Sequence, residues 1–313
     1  MRVRRERSPL IRRIAVIGTL ILASICLVPT ASADSAWHDH SHSLVVIGDS
    51  YASGVGNVPY IDPVLPCKRS PIAYGPLLAR ARSLTLTFVA CSGAKTVDLL
   101  VDPNGGQPQI DSVNQNTDIV TVQALGNDFF ASTLEALCIQ AECAPATPLP
   151  PSPVGEYPPG TTVQDVIDSI PVKAPALLDS LYDAIKQRSG DDAIVIAPGY
   201  PDPFPAPNGR VGPFCPFMSP VELGVAQDFI AALDKQIRKA ANRHGFHYAS
   251  VMSAFAGHDM CGTSPAFFTL GPISPAPVAD PQGVLHPNAL GQQLYATAIG
   301  ARVDHSWSDS AAA

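Results

Sequence analysis

The chain has 313 residues, with 20 basic and 27 acidic side chains, and its formal net charge is −7. This length is enough for one large domain or two small ones. The acidic balance argues against nucleic acids and anionic membrane surfaces as partners.

The first 33 residues have the organisation of a secretory signal peptide. Arginines cluster between positions 2 and 13, an apolar run extends from Ile14 to Val28, and Ala31-Ser32-Ala33 forms a cleavage site. The apolar run is shorter than the roughly 20 residues of a membrane span. We therefore expect a mature domain over residues 34–313, secreted or associated with the cell envelope, without stable insertion into the membrane.

Six cysteines remain after the signal peptide, and an even number in an exported chain indicates disulfides. They are Cys67, Cys91, Cys138, Cys143, Cys215 and Cys261. Six cysteines allow 15 pairings, and their order in the sequence does not choose among them. No two cysteines have Cys-x-x-Cys spacing and none is paired with histidine at finger spacing, so a zinc site is disfavoured.

Along the mature chain, runs of apolar and β-branched residues alternate with segments whose apolar residues recur at helical spacing. The runs at 44–47, 84–90, 118–125, 193–197 and 246–251 predict five strands. Helices are predicted over 72–82, 163–170 and 178–185, with a break at Pro171, then from 219 to 240 and after 288. This alternation predicts a single-domain three-layer α/β/α sandwich with a parallel sheet of about five strands.

Four polar motifs follow the predicted strands or precede the last helix. Asp49-Ser50 follows the first strand, Ser92-Gly93 the second and Gly126-Asn127-Asp128 the third, whereas His286 comes just before the final helix. The carboxyl ends of parallel strands lie on one edge of a sheet, where such folds bind their ligands. We therefore expect these motifs to converge.

The residue types at this edge suit acyl transfer. Ser50 is the candidate nucleophile, and His286 is the candidate base because imidazole titrates near neutral pH. The negative charge that develops on an attacked carbonyl oxygen needs fixed hydrogen-bond donors. The backbone N–H groups of Ser50 and Gly93 and the side-chain amide of Asn127 are candidates for this oxyanion hole.

The four motifs together resemble those of the SGNH hydrolases of the GDSL lipase/esterase family. The matching blocks are Gly48–Gly54, with Tyr51 where the family has Leu, then Cys91–Ala94, Gly126–Asp128 and His286–Gly291. They occur in order over roughly the whole mature chain. The resemblance implies a flavodoxin-like fold and a serine hydrolase that needs neither a metal nor an organic cofactor.

The cysteines and the Gly257-His258-Asp259 segment further resemble an exported bacterial branch of this family with three sequential disulfides. That resemblance implies the pairs Cys67–Cys91, Cys138–Cys143 and Cys215–Cys261. It also raises His258 as a rival base, although we expect a structural role for it near Cys261.

One departure from the family concerns the group that orients the histidine. Many members have an aspartate three residues before the histidine, where this chain has Gly283. Some members use a backbone carbonyl instead, so our first candidate is the carbonyl of Gly283 and the second is Asp280. We interpret Asp49 and Asp128 as structural hydrogen-bonding residues. Tyr51 either lines the cleft or packs behind the nucleophile.

The resemblance implies a secreted serine esterase or lipase that hydrolyses small-molecule or lipid esters through a Ser50 acyl-enzyme. We expect it to be a monomer. Two alternatives stay open at this point. The first is a carbohydrate O-acetyl esterase, because the same residues serve both reactions. The second is a secreted binding protein that retains the fold without catalysis.

Overall fold

The computed structural model describes residues 42–312 except 63–65, 104, 153–154, 205–217 and 270–278, and it leaves out the side chains of 309–312. The predicted signal peptide, the predicted domain start at residue 34 and Cys215 lie outside the described residues. None of the helices in the described part combines the length and apolar character that a membrane span requires.

A parallel sheet of five strands forms the centre of the described domain, in the order β2-β1-β3-β4-β5. The strands are β1 (Ser43–Gly48), β2 (Thr85–Phe88), β3 (Ile119–Gln123), β4 (Ile194–Pro198) and β5 (His247–Ala249). This is the flavodoxin-like strand order. The predicted fold class is confirmed.

The burial of each strand follows its position in the sheet. Every residue of β3 and β4 is buried, as is all of β1 after Ser43, which explains why these strands consist mostly of apolar residues. Edge strand β2 alternates between exposed threonines and partly buried Leu86 and Phe88. Strands β2, β3 and β5 are each shorter than predicted.

Helices cover both faces of the sheet. They are α1 (Ser50–Ser53), α2 (Tyr74–Arg82), α3 (Thr96–Leu100), α4 (Ala131–Ile139), α5 (Val163–Arg188), α6 (Pro220–His244), α7 (Met252–Phe255) and α8 (Ala289–Ala312). Helix α2 packs against α8, and α5 packs against α6. The core lies between these helix pairs and the sheet.

Helix α6 begins where the sequence predicts. The Ser219 side chain accepts a hydrogen bond from the Glu222 N–H, and the Glu222 side chain accepts one from the Ser219 N–H. Pro220 occupies the first turn, where its missing N–H costs nothing. Gly245 ends the helix in the left-handed conformation.

Helix α5 contradicts the predicted break at Pro171, because it continues through Pro171 and Pro175 to Arg188. Each interior proline costs about 3 kcal/mol through its lost hydrogen bond and ring clash. The helix buries nine side chains, including Ile170 and Leu178 on either side of the prolines. Each large apolar side chain gains about 1.5–3 kcal/mol on burial, so the packed face outweighs the two prolines.

Two of the three expected disulfides are confirmed. Cys67 is bonded to Cys91, and Cys138 is bonded to Cys143. These are the two disulfides that the described residues form. The pair Cys215–Cys261 remains a prediction, because Cys215 lies outside the described residues. Cys67–Cys91 closes the longer of the two loops, with a sequence separation of 24 against 5.

We expect the two disulfides to differ in their effect on stability. Replacing Cys67 and Cys91 by serine should lower the free energy of unfolding by about 3 kcal/mol, whereas replacing Cys138 and Cys143 should lower it by about 2 kcal/mol, because the longer cross-link restricts the unfolded chain more. Urea unfolding monitored by circular dichroism measures both values. A larger loss from the Cys138/Cys143 double variant would contradict this ranking.

Candidate active site

Ser50 lies at the carboxyl edge of the sheet, directly after β1. The chain leaves β1 at Gly48, where φ is 149° and a Cβ atom would overlap the carbonyl oxygen of Gln123 on β3. Asp49 then caps α1 by accepting a hydrogen bond from the Tyr51 N–H at 3.0 Å. Ser50 becomes the first residue of α1, with its hydroxyl in an open cleft.

His286 lies against Ser50, as the sequence predicts for a nucleophile and its base. Its Nε2 is 2.7 Å from Ser50 Oγ, and its Nδ1 is 3.1 Å from the carbonyl oxygen of Val284. The carbonyl only accepts, so it fixes the proton on Nδ1. Nε2 is then the acceptor for the Ser50 hydroxyl proton, which is the arrangement that activates a serine.

The structure corrects the predicted orienting group. The Gly283 carbonyl does not face the ring, because it accepts the backbone N–H of His286 at 2.9 Å in the turn that leads to the histidine. The Val284 carbonyl takes the position at Nδ1 instead. A pattern of residue types along the chain does not encode which of two successive carbonyls faces a ring.

Asp280, the second predicted candidate, bonds elsewhere. Its carboxylate accepts hydrogen bonds from Lys68 Nζ at 2.6 Å, the Tyr60 hydroxyl at 2.7 Å and the Gln282 N–H at 3.1 Å. Burial alone raises its pKa, but these bonds outweigh burial and leave the pKa below the usual value. Asp280 thus anchors the 3-10 turn Pro281–Gly283, which leads into Val284.

Burial of the imidazole determines the protonation state of His286. It lowers the pKa from 6.5 to about 4, against opposing effects of the Val284 hydrogen bond and the Asp280 charge. The positive charge of Lys68 lowers the pKa further. The ring is therefore neutral near pH 7, as a general base must be.

Three hydrogen-bond donors line the same cleft, which has a volume of about 380 Å³. The Ser50 N–H has no partner within α1, because it is at the start of the helix. Gly93 is exposed, with φ of 80°, in the turn after β2. Asn127 Nδ2 donates one hydrogen bond to the Ala94 carbonyl at 3.0 Å, which leaves its second hydrogen available.

The loops that carry Gly93 and Asn127 are bonded to each other. Asp128 accepts hydrogen bonds from the Thr96 hydroxyl at 2.7 Å and from the Thr96 N–H at 3.0 Å. Together with the bond from Asn127 to Ala94, these contacts join the end of β3 to the start of α3. The geometry matches the predicted hydrogen-bonding role of Asp128.

Two tyrosines support the site behind the serine and the histidine. Tyr51 is buried, its ring centroid lies 4.8 Å from that of His286, and its hydroxyl donates to the Leu285 carbonyl at 2.9 Å. Its buried ring packs behind the nucleophile and also forms part of the cleft wall, so each of the two predicted options holds in part. Tyr200 donates a short hydrogen bond to Asp49 and accepts one from the Gly126 N–H at 3.2 Å. Sequence reasoning missed Tyr200 because nothing in its Pro-rich segment distinguishes it.

Two carboxyl groups near the cleft have raised pKa values. Burial raises the pKa of Asp49 to about 7, although hydrogen bonds from Tyr200 and the Tyr51 N–H lower it. Burial, followed by repulsion from Asp49, raises the pKa of Glu135 on α4 to about 8. Glu135 lines the cleft and was not predicted, because a lone glutamate on a helix carries no distinguishing pattern.

His258, the rival base, lies outside this cleft. Its Nδ1 is 2.8 Å from the Ser264 carbonyl, and its backbone N–H and carbonyl bond to Phe255 and Ala266. These contacts fit the structural role expected for it.

Comparisons with known proteins agree with this geometry. The model of the GDSL-like lipase/acylhydrolase family matches residues 46–294. A lipase of Streptomyces rimosus is 32% identical over 288 residues, which cover 90% of this chain and 94% of that protein. Lipase 1 of Streptomyces coelicolor is 30% identical over 257 residues, 81% of this chain and 86% of that protein.

Two solved structures extend the likeness to the fold. A crystal structure of an extracellular lipase from Streptomyces rimosus superposes with a TM-score of 0.67 at 28% identity, over 84% of this chain and 100% of that chain. A phospholipase A1 from Streptomyces albidoflavus gives a TM-score of 0.67 at 26% identity, with the same coverage. These matches confirm the resemblance inferred from the motifs.

We expect His286 to titrate near pH 4, because protonation places a charge on a buried ring. Folding therefore favours the neutral imidazole. The free energy of unfolding falls as the pH drops from the ordinary pKa of 6.5 through the folded-state pKa of about 4. NMR titration of the histidine ring signals, assigned with a His286→Gln variant, measures this value. A midpoint near the ordinary 6.5 would contradict the buried, neutral imidazole.

Lys68 and Asp280 should shift the His286 pKa in opposite directions. Lys68→Met removes a positive charge and should raise the pKa by roughly half a unit, whereas Asp280→Asn should lower it by a similar amount. The same NMR titration tests both variants, with Arg80→Met on the far end of α2 as the control. Shifts of the same sign in both variants would show that the pair acts on His286 through structure alone.

Proposed function

The chain belongs to the GDSL-like lipase/acylhydrolase family, and from that premise we propose that it hydrolyses lipid esters through an acyl-enzyme at Ser50. The observation that carries this proposal is the 2.7 Å approach of Ser50 Oγ to Nε2 of a neutral, buried His286. The three hydrogen-bond donors in the same cleft supply the second requirement of acyl transfer, a place for the negative oxygen.

Acylation begins when the Ser50 hydroxyl gives its proton to His286 Nε2 and Oγ attacks the ester carbonyl carbon. The π electron pair of the carbonyl moves onto its oxygen, which the Ser50 and Gly93 N–H groups and Asn127 Nδ2 receive. The intermediate then collapses, the bond from carbon to the alcohol oxygen breaks, and His286 returns its proton to that oxygen. The alcohol leaves and the acyl group stays on Ser50.

Deacylation repeats these steps with water. His286 takes a proton from water as the water oxygen attacks the acyl carbon, and the same donors hold the second oxyanion. Collapse breaks the bond to Oγ, which recovers the proton from His286, and the carboxylic acid is released. Ester and water are thereby converted to acid and alcohol with no other reactant.

The Val284 carbonyl performs part of what a carboxylate does in a triad. It fixes the tautomer and the orientation of the ring through one hydrogen bond. It carries no full charge, so the imidazolium formed during each step gains less electrostatic stabilisation than it would from a carboxylate. Asp280 contributes at longer range, and Lys68 opposes it.

The relatives support lipid esters as the substrate class. The matched proteins from three Streptomyces species are named lipases or a phospholipase A1. We therefore propose lipid esters rather than acetylated carbohydrates as the substrate. We also propose a monomer as the active form, because one chain supplies every residue of the site.

We also propose that residues 1–33 direct export and that the mature enzyme is extracellular, spanning 34–313. One matched relative is described as extracellular, and the two observed disulfides suit an oxidising compartment. The third predicted bridge, Cys215–Cys261, belongs to the same proposal. Cys261 is buried, which suits a disulfide partner.

The test is Ser50→Ala, assayed on p-nitrophenyl esters from acetate to palmitate and on acetylated xylan. We expect hydrolysis to fall on the order of 10⁴-fold or more, since the nucleophile acts as one unit with its base. Ser253→Ala, which removes an exposed hydroxyl on α7, should leave the rate unchanged.

The other outcomes separate the alternatives. Retained hydrolysis in Ser50→Ala would refute Ser50 as the nucleophile. Faster release of acetate from xylan than of longer acyl groups would favour the carbohydrate O-acetyl esterase. If the wild type hydrolyses no ester, the secreted binding protein becomes the better description.

A further inference from the structure

A second cavity of about 630 Å³ lies beside the candidate active site, on the far side of Gly93. Ser92 and Gly93 line both spaces, so the cavity begins where the predicted oxyanion hole ends. Its volume is within the roughly 300–1,000 Å³ that is typical of small-molecule sites. No residue of the Pro281–His286 segment lines it.

Gly93 leaves the passage between the two spaces open. A Cβ built on Gly93 would meet no atom within 4 Å, whereas one on Gly54 or Gly56 would collide with a neighbouring side chain. Glycine is required at this position, since φ of 80° is strained for other residues. The ester carbonyl can therefore lie on the Gly93 N–H while the rest of the molecule extends past it.

The walls of the cavity are largely apolar. Apolar members include the Cys67–Cys91 disulfide, Val89 and three prolines at 66, 103 and 108. The wall also includes polar and charged members, which are Arg69, Ser92, Asp98, Asp102, Gln107, Gln109 and Ser112. Two of these are bonded to the backbone. The Gln109 amide bonds to both the N–H and the carbonyl of Gly48, and Asp98 accepts the Lys95 N–H.

The position of His286 decides which part of an ester reaches this cavity. The leaving alcohol must lie within hydrogen-bond reach of Nε2, which places it beside the Pro281–His286 segment. The acyl chain then points away from that segment. At the opposite end of the cleft, α4 contributes the Ser132 hydroxyl and the Glu135 carboxyl beside Ala131, Ala136 and Ile139. The cleft itself has a volume of about 380 Å³, so the cavity of about 630 Å³ beyond Gly93 offers more room for a long chain.

We propose that the cavity beyond Gly93 binds the acyl chain of the substrate and makes the enzyme selective for long-chain esters. This inference rests on the proposed function, because it names the subsite for the acyl group that Ser50 receives. Val89, Ser112 and Pro108 are then specificity-determining residues, although they lie away from the reacting atoms.

Two variants reduce the space at independent points of the wall. Val89→Trp adds a ring directly after β2, and Ser112→Trp adds one at a partly exposed position of the 3-10 turn Gln109–Ser112. Val97→Trp is the matched control, because Val97 is 53% exposed on α3 and does not line the cavity. Thermal unfolding establishes that each variant is folded.

The measured quantity is the ratio of kcat/KM for p-nitrophenyl decanoate to that for p-nitrophenyl acetate. We expect this ratio to fall roughly tenfold or more in Val89→Trp and Ser112→Trp, and to stay at the wild-type value in Val97→Trp. A parallel series of acetate esters with lengthening alcohols should show no such change.

Binding gives a readout that does not depend on turnover. In Ser50→Ala, a fluorescent long-chain fatty acid should bind roughly tenfold more tightly than in Ser50→Ala/Ser112→Trp.

The acyl-chain assignment would be overturned if the ratio stayed unchanged in both folded variants, or if activity were lost only in the series with lengthening alcohols. The proposed function would still stand in that case, because the wild type hydrolyses esters. If the wild type hydrolyses neither ester series, both proposals fall together.

Discussion

The hydrogen bond between Ser50 and His286 joins two positions that are 236 residues apart. Neither residue is catalytically competent without the other, because a serine hydroxyl is a weak nucleophile without a base. The sheet brings Ser50 to the end of β1, and the turn before α8 returns the chain to the same edge. The Asp49 cap on α1 and the contacts of Tyr51 and Val284 with the histidine turn hold these two groups 2.7 Å apart.

The turn that carries His286 is held from several sides. Tyr51 donates to the Leu285 carbonyl, and Phe268 donates its N–H to the His286 carbonyl and accepts the Leu285 N–H. Asp280 fixes the start of the turn through its ion pair with Lys68. Lys68 follows Cys67, whose disulfide to Cys91 leads to the Gly93 loop. The short segment Cys67-Lys68 thus connects the turn that carries His286 to the loop that carries Gly93. Such a link explains how a histidine without a carboxylate partner keeps a defined orientation.

The sequence predicts the features that depend on local pattern. Apolar runs identified the strands, the Ser219–Glu222 capping box located the start of α6, and the four motifs identified the edge of the sheet where Ser50 and His286 meet. The family model, which matches residues 46–294, confirms the resemblance that these motifs carry.

The remaining features depend on tertiary packing, which no local pattern contains. Helix α5 continues through Pro171 because a buried face extends across it. The partner of His286 is Val284 rather than Gly283 because one carbonyl is already used inside the turn. Tyr200 joins the site from a segment whose sequence resembles any Pro-rich loop. For α5 and Tyr200 a contact with a distant part of the chain decides the outcome, and for His286 a hydrogen bond within its own turn does so.

The most direct test of the account is covalent labelling with a fluorophosphonate, followed by mass spectrometry of the digested protein. The probe phosphonylates a serine only when a base has activated it, so the reaction reports the Ser50–His286 pair itself. The account predicts a single adduct on Ser50 that disappears in His286→Ala. An unlabelled wild-type protein, an adduct on another residue, or undiminished labelling in His286→Ala would contradict it.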